Sequence, residues 1–385
     1  MRERIEKYYL KVLAGRKKGF SVWLFKALLW LLSLIYLCVI KIRSLLYHLR
    51  IFRARAVTAW VISVGNITLG GTGKTPVVER LARLLHARGR KVVIVSRGYR
   101  RKTGPLFKRL KEKLRGAPTT RVVSDGSNIL LNSRVAGDEP YMLAVNLEGV
   151  PILINRNRVK AAFYAIRRFK ADTIILDDGF QHIGLKRDLD IVLIDATHPF
   201  GNAHLFPRGI LREPLRSLAR ADLLLITKAV EGEQKELKES LYRLNQRAEV
   251  LECRHGPVYL YDMRTSLKTT LDYIKGAPGA VLAGIAHPEG FERMVSELGV
   301  RIIYSRRFAD HHFYSQQELI DIINKASRRG AEFLLTTEKD AVRFPRLPPG
   351  NLPVFSLRIR IESVAPGGDF DQELLRYLRQ RKQKI

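Results

Sequence analysis

Cysteine and negative charge are what this chain has least of. Only Cys38 and Cys253 carry thiols among 385 residues. Two cysteines cannot build a disulfide framework, and Cys38 lies inside an apolar run, so both are expected as free thiols in a reducing compartment. Asp and Glu together number 37 against 68 Lys and Arg, leaving a formal net charge of +31. A field of that sign favours anionic partners such as nucleic acid, anionic lipid headgroups or phosphorylated substrates. A solvated basic surface is the plainer alternative. No recognisable nucleic-acid module accompanies the charge, so charge alone would have to argue for DNA or RNA, and a nucleic-acid partner is not expected. Internal repeats and long low-complexity segments are also missing. The length leaves room for two domains with cores of their own.

One stretch lacks charge altogether. "ALLWLLSLIYLCVI" (27–40) has none, and Lys26 is the only charged residue between Phe20 and Ile40. The run is borderline for a span, which needs roughly 20 apolar residues. A secretory signal would need small residues at its end, and "KIRS" stands there instead. Arg2, Arg4, Lys7, Lys11, Arg16, Lys17 and Lys18 precede the run; Lys41, Arg43, Arg50, Arg53 and Arg55 follow it. Basic flanks favour the cytoplasmic side, and here both flanks do. A helix lying in or dipping into the cytoplasmic leaflet satisfies both, with a single span and a buried core helix as the alternatives. Residues 1–56 are read as a membrane anchor.

Beyond Arg55 the pattern alternates between strand and helix. Apolar runs at "AWVISVGN", "KVVIVSRG", "VPILIN", "DTIILDD", "DIVLID" and "DLLLITK" are separated by helical patterns at 75–88, 140–147 and 158–169. Such runs predict an α/β fold, a mostly parallel sheet covered by helices over residues 57–255. Residues 256–278 read as a linker within a looser stretch containing two strands. A smaller α/β domain is expected over 279–360, with helices at 289–298 and 316–328. Residues 361–385 read as a basic terminal helix.

"VISVGNITLGGTGKTPVVERLARLL" (61–85) joins the first strand to the first helix. Gly70, Gly71 and Gly73 allow backbone N–H groups to converge on one anion. The helix start adds its dipole, Lys74 can reach the β- and γ-phosphates, and the Thr75 hydroxyl suits Mg²⁺. Thr68 occupies the first glycine position of a strict G-x-x-x-x-G-K-[ST] loop, which β-like angles would permit. This is a P-loop NTPase pattern; it indicates a triphosphate and not a reaction. "TIILDDGFQH" places Asp177 and Asp178 at the carboxyl end of a strand, where α/β sheets bind ligands. Adjacent carboxylates repel one another unless a cation is near, which favours a metal role. "TKA" at 227–229 resembles the base-reading motif of GTPases but lacks its Asn and Asp.

Other residues suit an acceptor. Asp138 and Glu139 precede Pro140, where they serve either as helix caps or as a general base for an acceptor hydroxyl. "RRFADHHFYS" groups Asp310, His311 and His312. These could be a metal cluster, a plain loop, a chance match to a phosphoesterase tripeptide, or a histidine that assists a base. Arg97, Tyr99, Arg158 and Arg212 stand near strand ends, and arginine forks suit phosphate oxygens.

"GNITLGGTGKTP", "SRGY", "AGDEP", "LDDGFQH", "PRGILREP" and "FADHHFYS", in this order, resemble the tetraacyldisaccharide 4′-kinase family of lipid A biosynthesis. The resemblance runs from the anchor to about Phe344. It implies an ATP- and Mg²⁺-dependent P-loop kinase on the cytoplasmic face of the inner membrane. Its acceptor would be the 4′-hydroxyl of a tetraacyl glucosamine disaccharide 1-phosphate, an anionic glycolipid, and no obligate protein partner is implied. The family motif carries threonine at the position of Thr68. Nucleotide binding would fall to Thr68, Leu69, Gly70, Gly71, Thr72, Gly73, Lys74, Thr75 and Pro76, with Lys74 also catalytic. Thr75, Asp177 and Asp178 would hold the metal. Asp138 would be the acceptor base, working with His311. Arg97, Tyr99, Glu139, Arg158, His182, Arg212 and Glu213 would line the substrate region, His182 bordering the metal and nucleotide. Two other classes carry weaker support: a membrane-bound P-loop switch or partitioning ATPase, and a nucleic-acid binder.

Overall fold

The computed structural model of the chain describes residues 9, 12, 17, 19–98, 120–347 and 350–382. The chain forms two compact units, each assembled from separated segments. The first comprises Met1–Arg97, Asn155–Arg254 and Glu362–Ile385; the second comprises Gly98–Ile154 and His255–Ile361. The linear division of the sequence differs from this partition. Residues 98–154, grouped with the P-loop by their position in the chain, cluster instead with the later α/β segment, because non-local contacts define a unit.

In the first unit, strand Trp60–Asn66 lies between Thr173–Asp177 and Leu189–Asp195, parallel to both. Val92–Ser96 extends the sheet beyond Thr173–Asp177. Leu223–Thr227 and the start of Glu249–Asp262 extend it on the other side, again in parallel. The strands read as unbroken apolar runs because both faces are covered: Ile62, Ile94, Ile174 and Leu224 have no exposed surface. Helix Lys74–His86 buries Val77, Val78, Leu81, Ala82, Leu84 and Leu85 along one stripe. Helix Arg158–Phe169 has the bounds the sequence pattern gives. The terminal helix Phe370–Lys382 belongs to this unit, with Leu374 and Leu378 buried, Arg80 paired to Asp371, and the Tyr377 hydroxyl on the Asp222 carbonyl at 2.6 Å.

The apolar run near the amino terminus is the 29-residue helix Phe20–His48. It is long and apolar enough to cross a membrane, and Trp23, Leu28, Trp30, Ile35, Val39 and Ile42 are exposed. One side is nevertheless bonded to the first unit. Ser33 Oγ donates to the Leu205 carbonyl at 3.0 Å and accepts the Arg208 N–H at 3.0 Å. The Tyr36 hydroxyl donates to the Arg212 carbonyl at 2.9 Å, and Arg43 to that of Gln181 at 2.6 Å.

The second unit carries parallel strands Arg301–Arg307, Pro278–Ala283, Phe333–Thr337 and Val354–Ser363, in that spatial order. Leu260, Val281, Phe333 and Leu335 share one apolar cluster; Leu282, Leu319, Ile323 and Leu334 share another. Helix Gln316–Arg328 starts at a Ser315–Glu318 capping box. An antiparallel pair, Arg121–Ser124 with Ile152–Ile154, flanks helix Asp138–Asn146 in the sequence. The stretch read as a linker is in large part strand, the 14-residue Glu249–Asp262, followed by Lys268–Thr269 paired to it.

Gly65 shows how tightly the loop-bearing strand is packed. A Cβ there would lie 2.6 Å from Phe180 Cβ and 2.8 Å from its backbone nitrogen. Phe180 is completely buried and cannot retreat. Gly65→Ala is therefore expected to cost about 1–3 kcal/mol of stability, read as a lower denaturation midpoint; an unchanged midpoint would contradict this packing.

Candidate active site

The chain leaves Trp60–Asn66 in an extended conformation, as the threonine at the first loop position requires. Thr68 bridges Leu211, the Leu69 N–H donates to the Ile210 carbonyl at 2.7 Å, and the Arg212 N–H donates to that of Ile67 at 2.7 Å. The loop then turns through Gly70 at φ 114° and Gly73 at φ 78°, conformations that suit glycine. Gly73 caps Lys74–His86, and the N–H groups of that first turn have no intrahelical acceptor. Behind the loop, the Thr227 hydroxyl donates to the Thr72 carbonyl at 2.9 Å. Lys228 reaches the Gly71 carbonyl at 3.2 Å and also pairs with Asp195. The "TKA" segment thus braces the loop without the base-reading residues of a GTPase.

Lys74 Nζ lies 3.1 Å from Asn66 Oδ1 and 3.5 Å from Asp178 Oδ1. Arg212 places one nitrogen 2.8 Å from each Asp178 oxygen. Burial alone would raise the Asp178 carboxyl, but Lys74 and Arg212 outweigh it, and the group is held at about 2. Asp177 points elsewhere: its Oδ2 accepts the Ser96 hydroxyl at 2.8 Å, and its carbonyl accepts Arg158 at 2.9 Å. Arg158 is buried and also holds the Asn155 carbonyl at 2.7 Å. Burial brings its guanidinium down to about 10, still charged at neutral pH. Burial, followed by the cations Arg158, Arg43, Arg187 and Arg97, lowers His182 to about 4. It is a neutral imidazole at physiological pH.

A second cluster sits within the other unit. Asp138 opens helix Asp138–Asn146, but its carboxylate is not spent on capping. Its Oδ2 lies 2.8 Å from His311 Nδ1 and 2.8 Å from Arg343 Nε. Burial works to raise this carboxyl; the bond to His311 and the charge of Arg343 prevail, so it sits below its ordinary value. His311 is held at φ 63°, with its N–H on the Gly284 carbonyl at 3.2 Å. Its Nε2 lies 3.6 Å from Asp310 and 4.0 Å from Glu139. Lys339 lies 3.1 Å from Glu139 and 3.5 Å from Asp310. Asp138, Glu139 and His311 could converge on a cation, yet Arg343 and Lys339 already bring positive charge to them. His312 turns away, stacking on Phe308 and meeting Glu318 at 3.2 Å.

The site residues read from the sequence thus fall into two groups. Thr68–Pro76, Asp177, Asp178, Arg158, His182 and Arg212 lie at one sheet edge of the first unit; Asp138, Glu139 and His311 lie in the second. Arg97 is exposed just after Val92–Ser96. Glu213 is buried against Arg220 at 2.7 Å, and Tyr99 lies outside the described residues. Asn66, Ser96, Lys339 and Arg343 carry no role in the sequence reading, and Lys228 enters it only as part of "TKA". Asn66 and Ser96 end their strands as the acids do, which is a usable signal; Arg343 gives none locally.

A glycine-rich loop entering a Lys-Thr helix start at the carboxyl edge of a parallel sheet defines a P-loop nucleotide-binding protein, here with a second α/β unit. The profile of the family described as tetraacyldisaccharide-1-P 4′-kinase (LpxK) matches residues 25–379, and the chain belongs to that family. A tetraacyldisaccharide 4′-kinase of Halothermothrix orenii is 42% identical over 358 residues, covering 90% of either chain. That of Desulfatibacillum aliphaticivorans is 39% identical over 344 residues, covering 87% of this chain and 88% of its own. The crystal structure of Aquifex aeolicus LpxK in complex with ATP superimposes with a TM-score of 0.70 at 27% identity, covering 93% of this chain and 99% of that one.

The Asp178 charge has a measurable consequence. Its folded-state value is depressed, so its ion-pair contribution is complete above the unfolded value near 3.8 and is lost as pH falls through about 2. Carboxyl ¹³C shifts should place the Asp178 midpoint near 2 in the wild type. Lys74→Met should move it upward toward the ordinary range, and a midpoint that stays put would remove Lys74 as a cause.

Proposed function

We propose that this protein transfers the γ-phosphate of ATP to the 4′-hydroxyl of a tetraacyl glucosamine disaccharide 1-phosphate, forming the 4′-phosphorylated precursor (lipid IVA) of lipid A. The observation that carries the reading is the Asp138–His311 pair. A chain with a complete P-loop also holds an ionised carboxylate hydrogen-bonded to an imidazole, in a different unit from the loop. A nucleotide switch has no use for such a pair, whereas an alcohol acceptor needs a base for its proton.

In this reading residues 68–76 hold the triphosphate through backbone N–H groups, and Lys74 neutralises the β- and γ-phosphates. The donor set fits Mg²⁺, which prefers hard oxygen ligands: the Thr75 hydroxyl at the helix start and the Asp178 carboxylate, ionised at neutral pH. When bound, the ion supplies neutralisation of phosphate charge. Asp177, held by Ser96 and Arg158, orients the turn that carries Asp178. Both bonds to Asp138 fall on Oδ2, and Oδ1 is the oxygen that takes the acceptor proton. Arg97, Tyr99, Glu139, His182 and Arg212 bind the disaccharide and its 1-phosphate. Arg158 supports them from beneath, and Glu213 does so through Arg220. Helix Phe20–His48, with its exposed apolar residues and basic flanks, seats the enzyme on the cytoplasmic leaflet of the inner membrane, where an anionic glycolipid is met in two dimensions.

Wild-type protein incubated with ATP, Mg²⁺ and the disaccharide 1-phosphate in detergent should yield a lipid bearing one additional phosphate by mass. No product would sink the assignment. Asp138→Asn should reduce turnover by about 10²–10⁴-fold while ATP affinity survives; loss of ATP binding instead would move Asp138 to the nucleotide shell.

A further inference from the structure

Arg343 has no exposed side-chain surface. Arginine is almost never so buried unless its charge and donors are matched. Its Nε donates to Asp138 Oδ2 at 2.8 Å, across 205 residues of sequence. Its Nη1 donates to Asp340 Oδ1 at 3.1 Å and to the Gly284 carbonyl at 3.0 Å. Its Nη2 lies 3.4 Å from His311 Nδ1.

The anchor of this fork is Asp340, itself buried. Its carboxylate accepts the Gly284 N–H at 3.0 Å, the Tyr314 hydroxyl at 2.9 Å and the Thr337 hydroxyl at 2.7 Å. Three neutral donors from three segments fix Asp340, and Asp340 fixes the guanidinium plane. The Gly284 carbonyl that accepts from Arg343 also accepts the His311 N–H. One planar cation therefore bonds the carboxylate of Asp138 and shares a backbone acceptor with His311. A mere counter-ion for Asp340 would need neither connection.

We infer that Arg343 is the positioning residue of the Asp138–His311 pair, fixing the carboxylate's orientation and keeping it ionised toward the acceptor. The inference rests on the reading of Asp138 as the acceptor base. An ionised carboxylate can only accept, so His311 Nδ1 carries the hydrogen toward Asp138, and Nε2 faces Asp310 and Glu139. Arg343 Nη2 lies 3.4 Å from that same Nδ1, so one guanidinium borders both members of the pair. The groups that face Asp138 are His311 and Arg343; Glu139, Asp310 and Lys339 surround the far side of the ring, and Asp340 lies across the guanidinium.

The test compares Arg343→Met, Arg343→Lys, Asp138→Asn and the Asp138→Asn/Arg343→Met double variant in the full chain, using ATP, Mg²⁺ and the disaccharide acceptor. Arg343→Met should lower kcat by about 100-fold with KM for ATP unchanged. The acid limb of its kcat/KM profile should move to higher pH, because loss of the cation raises the Asp138 carboxyl. Arg343→Lys should restore the limb but not the full rate, since an ammonium cannot span Asp138, Asp340 and Gly284 in one plane. In the Asp138→Asn background, Arg343→Met should add no further loss. Independent, additive losses or an unmoved acid limb would overturn the inference while leaving the base reading intact. Full activity in Asp138→Asn would overturn the base reading itself. If thermal unfolding shows that Arg343→Met does not fold, the Arg343→Lys rate and its coupling to Asp138→Asn decide the question: wild-type turnover in Arg343→Lys would count against the inference.

Discussion

Strand Trp60–Asn66 runs parallel to both of its neighbours, and the donor side of the protein depends on that register. Pairing Val64 with Asp177 on one side and Asn66 with Leu193 on the other brings three strand ends to one edge of the sheet. Lys74, entering its helix from the loop, meets Asn66 and Asp178 there because the sheet has already gathered them. The register in turn depends on strands buried on both faces, for which only apolar β-branched or leucine-rich runs are suitable. Gly65 and Gly179 let Phe180 and Ser63 approach at distances a side chain would forbid. Hydrophobic packing, rather than any polar contact, sets the positions of the charged groups.

Several polar residues of the two clusters sit in conformations a free chain avoids. Asp178, Lys228 and His311 all have left-handed backbones, at φ 55°, 55° and 63°. Non-glycine residues there cost about 1–3 kcal/mol each. Each is held by partners that over-determine it: Arg212 and Lys74 for Asp178, Asp195 and the Gly71 carbonyl for Lys228, Asp138 and the Gly284 carbonyl for His311. The pattern is similar in both units although their chemistry differs. In each a carboxylate is held by a cation, with a residue of left-handed backbone at or beside it. Such pairs, half-buried at Asp178 and buried at Asp138, are poor sources of stability, which points to orientation as their contribution.

Much of this was legible in the sequence, and what was not has a physical cause. The strands at 60–66 and 173–177 stand out as apolar runs, and the helices at 158–169 and 316–328 as 3.6-residue stripes, because burial writes itself locally. Helix Lys235–Leu244 leaves a weak signal because half of "KELKESLYRL" is charged and only Leu241 is fully buried. Strand Val354–Ser363 has a readable alternation in "LRIRIE". Thr68, a departure from the strict loop motif, proves to be extended and bridged to Leu211. Asp138 could equally have been a cap; only its bonds to His311 and Arg343 separate the readings. Arg343 was invisible because its meaning lies in a contact 205 residues away. The clustering of 98–154 with 255–361 is non-local in the same way.

The amino-terminal helix is more than a tether. A tether would end in a free linker, yet Phe20–His48 is bonded through Ser33, Tyr36 and Arg43 to the segments that shape the nucleotide side. Tyr36 holds the Arg212 carbonyl, and the same residue's side chain grips Asp178 while its N–H closes the Ile67 end of the loop. Arg43 holds the Gln181 carbonyl, and the Gln181 amide donates to the Asn66 carbonyl at 2.9 Å. Ser33 fixes both the Leu205 carbonyl and the Arg208 N–H, the two sides of the loop that returns as Leu211 beside Thr68. Two short paths therefore connect an exposed apolar helix to the residues around Lys74, one through Arg212 and one through Gln181. Because each path passes through a backbone carbonyl that accepts from a helix side chain, displacing the helix would take that donor from the Arg212 and Gln181 carbonyls. The surface suited to a membrane and the geometry around the phosphate loop are set by the same hydrogen bonds.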